Sequence, residues 1–225
     1  MNVAVEICVV GVESALAAAE GGADRVELCE YLSVGGVTPS AGAIGLACRK
    51  LRIPLHVLIR PRAGDFIYSP LDLEVMERDV ETAKSLGAAG VVLGVLHPDG
   101  SINVEHTSKL VQLARPMSVT FHKAFDECLA PETALEALCV IGVDRILTSG
   151  QRPSAREGIP LLAKLTDQAN GRLVVMAGGR ITEADATLLI EAGLREIHIG
   201  SNACEDGSTS ASKVRRFVQL AHQSA

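Results

Sequence analysis

Four segments of the chain share one eight-residue pattern, and their repetition decides the fold class. They read GADRVELC (22–29), GAAGVVLG (87–94), GVDRILTS (142–149) and GLREIHIG (193–200). Each opens with a glycine, which suits the left-handed position that often follows a helix. Each then continues into a short, mostly aliphatic run. Successive copies start about 50 to 65 residues apart, which is room for two strand–helix units.

Further β-branched runs lie between these copies, and amphipathic stretches such as 71–86 separate them all. The sequence therefore predicts eight strands, each followed by a helix. The strands are expected at 3–10, 25–29, 55–60, 90–95, 118–122, 145–149, 173–178 and 196–201. Alternation of β and α predicts a parallel α/β sheet. Without a linker-like segment, residues 1–225 are expected to form a single domain, a (β/α)8 TIM-type barrel. A doubly wound open sheet is the alternative.

The composition narrows the functional classes. The chain has 225 residues, 48% of them hydrophobic, and a formal net charge of −6. This acidic balance argues against nucleic acid as a partner. No apolar run approaches the ~18 residues of a membrane span. The first ten residues, MNVAVEICVV, resemble a first strand more than a secretion signal. No C-x-x-C motif occurs among the six cysteines. We expect a cytoplasmic globular protein with reduced thiols.

The two-residue period of a strand assigns the faces of the repeats. Glu27 and His198 occupy the sixth position, where a helix packed against them would make their burial costly. That face is therefore expected to line the barrel lumen. The last position on the same face is always small: Cys29, Gly94, Ser149 and Gly200. Small residues leave room for a ligand at the C-terminal mouth, where barrel sites are built.

A Glu-x-Cys pair occurs on each of the first two strands. Glu6 precedes Cys8 by two residues, and Glu27 precedes Cys29 in the same way. If the glutamates face the lumen, the cysteines do so too. Two neighbouring thiolates are soft ligands of the kind that Cu(I) prefers. The other interpretation is that both cysteines are small, buried packing residues.

Charged residues follow strands 3 and 5. Arg60 and Arg62 are expected to share a face, and guanidinium groups recognise carboxylate or phosphate; a structural Arg–Glu network is the alternative. His122 ends strand 5 and Asp126 follows in the loop. This placement suits a general base or metal ligand oriented by a carboxylate, although a strand-end histidine is often structural.

Glycine-containing turns follow strands 7 and 8. These loops commonly bind phosphate in TIM-type barrels, because glycine lets a ligand approach the backbone closely. The candidate anion-binding positions here are Gly178, Gly179, Gly200 and Ser201. Turn formation alone explains these glycines equally well.

Several long segments resemble the CutC copper-homeostasis family. They are EICVVGVESALAAAEGGADRVELCEYLSVGGVTPS, IRPRAGDFIYS, VTFHKAFD, DRILTSG and MAGGRIT. The resemblance covers nearly the whole chain. It implies a TIM-type barrel, a cytoplasmic location and a homodimer or homotetramer. It also implies Cu(I) binding, with the family's cysteines falling on Cys8 and Cys29.

Two functions from different classes remain open. The first is a copper-binding protein whose metal ligands are Cys8 and Cys29. The second is an enzyme of isomerase, aldolase or lyase type that acts on a small anionic or phosphorylated metabolite. In the enzyme, the arginines and strand 7–8 turns would bind the anion. The candidate catalytic residues would be Glu6, Glu27, His122 and Asp126.

Overall fold

A computed structural model describes residues 3–223 and confirms the predicted barrel. Eight parallel strands close in sequence order, and β8 pairs with β1. The strands are β1 (Ala4–Val10), β2 (Arg25–Cys29), β3 (Leu55–Leu58), β4 (Gly90–Leu93), β5 (Ser118–Phe121), β6 (Arg145–Thr148), β7 (Val174–Gly178) and β8 (Glu196–Ile199). The open-sheet alternative is therefore excluded.

One α-helix follows each barrel strand. The helices are α1 (Gly11–Glu20), α2 (Ala41–Lys50), α3 (Pro70–Ser85), α4 (Val104–Ala114), α5 (Pro131–Ile141), α6 (Ile159–Ala169), α7 (Glu183–Glu191) and α8 (Ala211–Gln223). The helix predicted at 71–86 lies at Pro70–Ser85, because Ser69 and Asp72 form a capping box that fixes its start. Within residues 3–223, no helix is long and apolar enough to cross a membrane.

The structure departs from the predicted elements at the C-terminal ends of the strands. The strands predicted at 55–60 and 118–122 end at Leu58 and Phe121. His122 instead caps a 3-10 turn, since its Nδ1 accepts a hydrogen bond from the Ala124 amide. A short hairpin, β9 (Cys204–Glu205) and β10 (Ser208–Thr209), separates β8 from α8 and was not predicted.

The predicted alternation of faces is confirmed. Outward-facing aliphatic residues such as Val26 and Leu28 belong to the large core between strands and helices. A separate small apolar cluster lies inside the barrel and contains Cys8, Cys29, Leu58 and Val92. The lumen is therefore a distinct environment, with thiols near its C-terminal end and charged side chains below them.

Candidate functional site

Two free thiols meet inside the barrel, as the repeated Glu-x-Cys pattern predicted. The Sγ atoms of Cys8 and Cys29 lie 3.6 Å apart, and both residues are buried. The strand register places Cys8 opposite Glu27 and Val10 opposite Cys29. The two cysteines are thus offset by two residues along β1 and β2, and their sulfur atoms meet diagonally across these two neighbouring strands.

A carboxylate and an imidazole complete the cluster. Donor atoms of Cys8, Glu27 and His198 all lie within 4.8 Å of one another. The Cys8 thiol is 3.8 Å from Glu27 Oε1. The other oxygen, Glu27 Oε2, is buried without a hydrogen-bond partner and lies 3.9 Å from His198 Nδ1. We refer to Cys8, Cys29, Glu27 and His198 as the thiol cluster.

Glu6 lies beneath the thiol cluster and orients its imidazole. Glu6 is fully buried, and its Oε1 lies 2.7 Å from His198 Nδ1. Its other oxygen accepts from Arg25 Nε. Arg25 also bonds Glu196 at 2.6 Å, and Glu196 in turn pairs with Arg145. A carboxylate that fixes one imidazole nitrogen leaves the other available to a ligand.

The two glutamates of the lumen, Glu6 and Glu27, have pKa values shifted in opposite directions. Burial by itself would raise the pKa of Glu6, but Arg25 and the His198 hydrogen bond outweigh it and hold this pKa far below its usual range. For Glu27, burial dominates and raises the pKa to about 7. Burial opposes the charge of His198, yet the hydrogen bond to Glu6 and the neighbouring carboxylates raise its pKa. One glutamate is therefore anionic, and the other can exchange a proton near neutral pH.

Two residues that contact the site, His198 and Arg25, were not among the candidate site residues predicted from the sequence. A signal for His198 was present, because it shares the sixth repeat position with Glu27. Its partnership with Glu6 depends on barrel closure, since the two residues are paired across β1 and β8. Arg25 precedes the lumen glutamate on β2 by two residues, so the same alternation places it inside as well.

Arg60 lies at the end of β3 and is 5% exposed. Its guanidinium donates to the backbone carbonyls of Val34, Gly36 and Gly64 at 2.6 to 3.0 Å. It therefore fastens the loop after β2 to the loop after β3. No glutamate pairs with it among the described residues, so the predicted Arg–Glu network belongs to Arg25 instead.

Arg62 does not share the surroundings of Arg60. Its side chain pairs with Asp65 at 2.9 Å and with Asp72 at 3.2 Å, and it lies over the Tyr68 ring. These contacts organise the loop after β3 and the first turn of α3. The expectation that the two arginines present one face to a ligand is wrong, because the chain turns immediately after Arg60.

His122 and Asp126 are each fixed by other groups. His122 is buried, and its Nδ1 accepts from the Ala124 amide at 3.2 Å. Burial, together with the charge of Arg60, lowers the pKa of His122 to about 3. Asp126 accepts from Ser149 and other groups of the loop after β6, and it pairs with Lys123 at 2.8 Å. The expectation that Asp126 orients His122 is wrong, since the Ala124 backbone amide does so.

Close packing explains the two glycines at the end of β7, Gly178 and Gly179, without a ligand. A Cβ on Gly178 would lie 2.5 Å from Leu147 Cδ1, and one on Gly179 would lie 2.9 Å from Ser149 Cβ. Gly200 has open space at its Cβ position, and Ser201 begins a short 3-10 turn. The nearby start of α7 is capped by its own Thr182 and Asp185. Anion binding by Gly178, Gly179, Gly200 and Ser201 stays a prediction.

The fold and the candidate site together define the class of protein to which the chain belongs. This is a TIM-type barrel whose lumen carries a buried thiol cluster above the Glu6–Arg25 ion pair, at the end where barrel sites are built. The chain belongs to the CutC family, whose model matches residues 3–203.

Similar proteins cover most of the chain. It is 48% identical over 202 residues to the human protein named copper homeostasis protein cutC homolog, a match that covers 89% of this chain and 74% of the human one. It is 50% identical over 199 residues to a family protein CutC of Chromobacterium violaceum, with coverage of 88% and 81%. The crystal structure of CutC from Streptococcus agalactiae superimposes with a TM-score of 0.84 at 32% identity, covering 88% of this chain and 98% of that one.

Proposed function

We propose that the protein binds Cu(I) through the thiolates of Cys8 and Cys29 and serves in copper homeostasis. The observation that carries the proposal is the 3.6 Å separation of two free, lumen-facing sulfur atoms. Thiolates are the soft ligands that Cu(I) selects over harder oxygen donors. The names of the human and Streptococcus agalactiae relatives, which refer to copper homeostasis and to CutC, support the same function.

The other members of the thiol cluster support metal binding as well. Glu27 Oε2 is buried without a hydrogen-bond partner, so this carboxyl group, a hard donor that Cu(I) does not favour, is available as a proton acceptor beside the thiols. His198 would supply a ring nitrogen, with its orientation fixed by the bond to Glu6. Cu(I) bound here would be held mainly by sulfur, with His198 as a third ligand.

Metal binding requires that the thiols lose their protons. The hydrogen bond with Cys29 and burial both raise the pKa of Cys8, so its thiol stays protonated in the free protein. Glu27 Oε1 lies 3.8 Å from Cys8 Sγ and has a pKa near 7. Glu27 is therefore placed to receive the proton that Cys8 releases.

A chelator-competition titration under reducing conditions tests the proposal. We expect Cys8→Ser and Cys29→Ser each to weaken Cu(I) binding by at least about tenfold, because loss of even an outer-shell partner of a metal ligand costs about 10- to 100-fold in affinity. Cys48→Ser and Cys139→Ser are matched controls, because these half-buried cysteines lie outside the thiol cluster. Equal losses in all four variants would show nonspecific thiol binding and contradict the proposal.

A second function is enzymatic proton transfer on a small anionic metabolite. The supporting observation is the pair formed by Glu27, with a pKa near 7, and His198, held by Glu6, at a barrel mouth. A thermal-shift screen of phosphorylated and carboxylated metabolites, followed by assays for turnover, tests it. A metabolite that is turned over by the wild type and not by Glu27→Gln supports this function; stabilisation by copper alone contradicts it.

The site also implies a compartment. Free thiols persist in the reducing cytoplasm, so we propose a cytoplasmic protein. The homodimer or homotetramer implied by the family resemblance remains a prediction, and light scattering on the purified protein measures it directly.

A further inference from the structure

Arg60 is a buried cation without a carboxylate partner. Its guanidinium nitrogens donate to three neutral backbone carbonyls, and within residues 3–223 no ion pair joins it to an acidic side chain. Arg25, the other buried arginine of the described chain, pairs with both Glu6 and Glu196. Burying an unpaired charge is expensive. The Arg60 guanidinium therefore has the carboxylates of Asp65 and Glu127 within electrostatic range but none in direct contact.

Three buried polar atoms around Arg60 have no hydrogen-bond partner. They are Arg60 Nε, Tyr68 Oη and His122 Nε2. All three residues are at least nine-tenths buried. Because His122 Nδ1 accepts from the Ala124 amide, the proton of the neutral ring resides on Nε2. Both nitrogens are thus donors, and the tyrosine hydroxyl can donate as well.

One aromatic ring covers the two nitrogen donors. The Arg60 guanidinium lies 5.0 Å from the centroid of the Phe66 ring, and the Phe66 and His122 ring centroids are 4.7 Å apart. The residue after β4, Gly94, leaves room for the imidazole, since a Cβ there would lie 2.6 Å from His122 Cε1. Burial raises the pKa of Tyr68 to about 12, although the charges of Arg60 and Arg62 and a side-chain interaction of the hydroxyl with Arg60 oppose the shift; the hydroxyl keeps its proton and can donate it to a ligand.

We propose that Arg60, Tyr68 and His122 form a subsite for the carboxylate of a small organic acid, and that the Phe66 side chain is its gate. One cation and two neutral donors match a single negative charge. The three atoms are closed off from solvent, and the half-buried Phe66 ring, which contacts both the guanidinium and the imidazole, is the side chain whose rotation would admit a ligand. The backbone need not move, because the Phe66 carbonyl is held by the Leu96 amide at 2.9 Å.

The subsite does not depend on copper binding, since none of its residues belongs to the thiol cluster. It would give the second proposed function, proton transfer, an anchor for the substrate. An organic acid held at Arg60 would enter through the C-terminal mouth of the barrel, where β3 and β5 end.

An NMR titration of the whole protein tests the subsite. Acetate and inorganic phosphate are the probes, added separately at constant ionic strength, and the side-chain resonances of Arg60 Nε–H and His122 Nε2 are followed. We expect acetate to shift both resonances in a saturable manner, and to do so at lower concentration than phosphate. No saturable shift, or tighter binding of phosphate than of acetate, would overturn the assignment.

Conservative variants identify the donors. We expect Tyr68→Phe and His122→Gln each to raise the acetate Kd by about tenfold, as for one lost hydrogen bond to a charged group. The exposed Tyr31→Phe and His97→Gln are matched controls and should leave Kd unchanged. Cu(I) added at one equivalent should also leave the acetate Kd unchanged, which separates this proposal from the copper proposal. A wild-type Kd in a folded His122→Gln protein would overturn the subsite.

Discussion

His198 Nδ1 and Glu6 Oε1 lie 2.7 Å apart across the β1–β8 seam, where the strand register pairs the two residues directly. This contact joins the first strand of the barrel to the last. It also couples the thiol cluster to the buried network below it, since Glu6 is the partner of Arg25 as well. The same carboxylate thus contacts the last strand of the barrel and orients the candidate ligand His198.

Replacing Glu6 tests this coupling. Glu6→Gln removes the buried charge that faces Arg25 and His198, so we expect a loss of about 3 kcal/mol in the free energy of unfolding. The pKa of His198 should fall, because the Glu6 hydrogen bond and charge help to raise it. Denaturant unfolding and NMR titration measure the two effects. Exposed Glu20→Gln is the control, and an unchanged His198 pKa in the folded variant would contradict the account.

Acid should destabilise the protein through His56. Burial is the main cause that lowers the pKa of His56 to about 4. Between pH 6.5 and 4 the unfolded chain therefore binds a proton that the folded chain does not, and stability falls as the pH falls. The contribution of this residue between pH 7 and pH 5 is about 2 kcal/mol.

The measurement compares unfolding free energies at pH 7 and pH 5 for wild type and His56→Gln. The variant should lose less stability on acidification than the wild type does. His97→Gln, an exposed substitution, should show the wild-type difference. An identical pH dependence in His56→Gln would mean that the pKa of this histidine is the same in the folded and unfolded chains, which would contradict the prediction.

Two glycines at the ends of lumen-facing repeat positions should differ in their tolerance of a methyl group. A Cβ at Gly94 would lie 2.6 Å from the buried His122 ring, whereas a Cβ at Gly200 meets nothing within 4 Å. Gly94→Ala should lower the free energy of unfolding by about 2 kcal/mol through overpacking. Gly200→Ala should change it by less than about 0.5 kcal/mol. Thermal or denaturant unfolding that shows equal effects would contradict the placement of His122.

The sequence predicted the barrel because its evidence is local and repeated. Strand alternation placed Glu27 and Cys29 in the lumen, and the repeated Glu-x-Cys pattern placed Cys8 beside them. Side-chain partnerships across the barrel were harder to predict, since they depend on register and stagger. His198 reaches Glu6 only through the β8–β1 pairing.

The conformations of the loops after β3 and β5 were also predicted wrongly from the sequence. The strand was predicted at 55–60, and the shared face of Arg60 and Arg62 assumed that the chain stays extended beyond it, but β3 ends at Leu58 and the chain bends after Arg60. Asp126 was expected beside His122 from their spacing alone. It binds the loop after β6 instead, because Ser149 and its neighbours offer several donors at once. No local pattern in the sequence encodes that choice.

The most direct test of the central claim is X-ray absorption at the copper edge of the Cu(I)-loaded protein, prepared at one copper per chain. The account predicts two sulfur scatterers from Cys8 and Cys29, with a nitrogen from His198. In Cys29→Ser the number of sulfur scatterers should fall to one, and in Cys139→Ser it should remain two. A copper environment that contains no sulfur, or one that Cys29→Ser and Cys139→Ser alter equally, would contradict the claim.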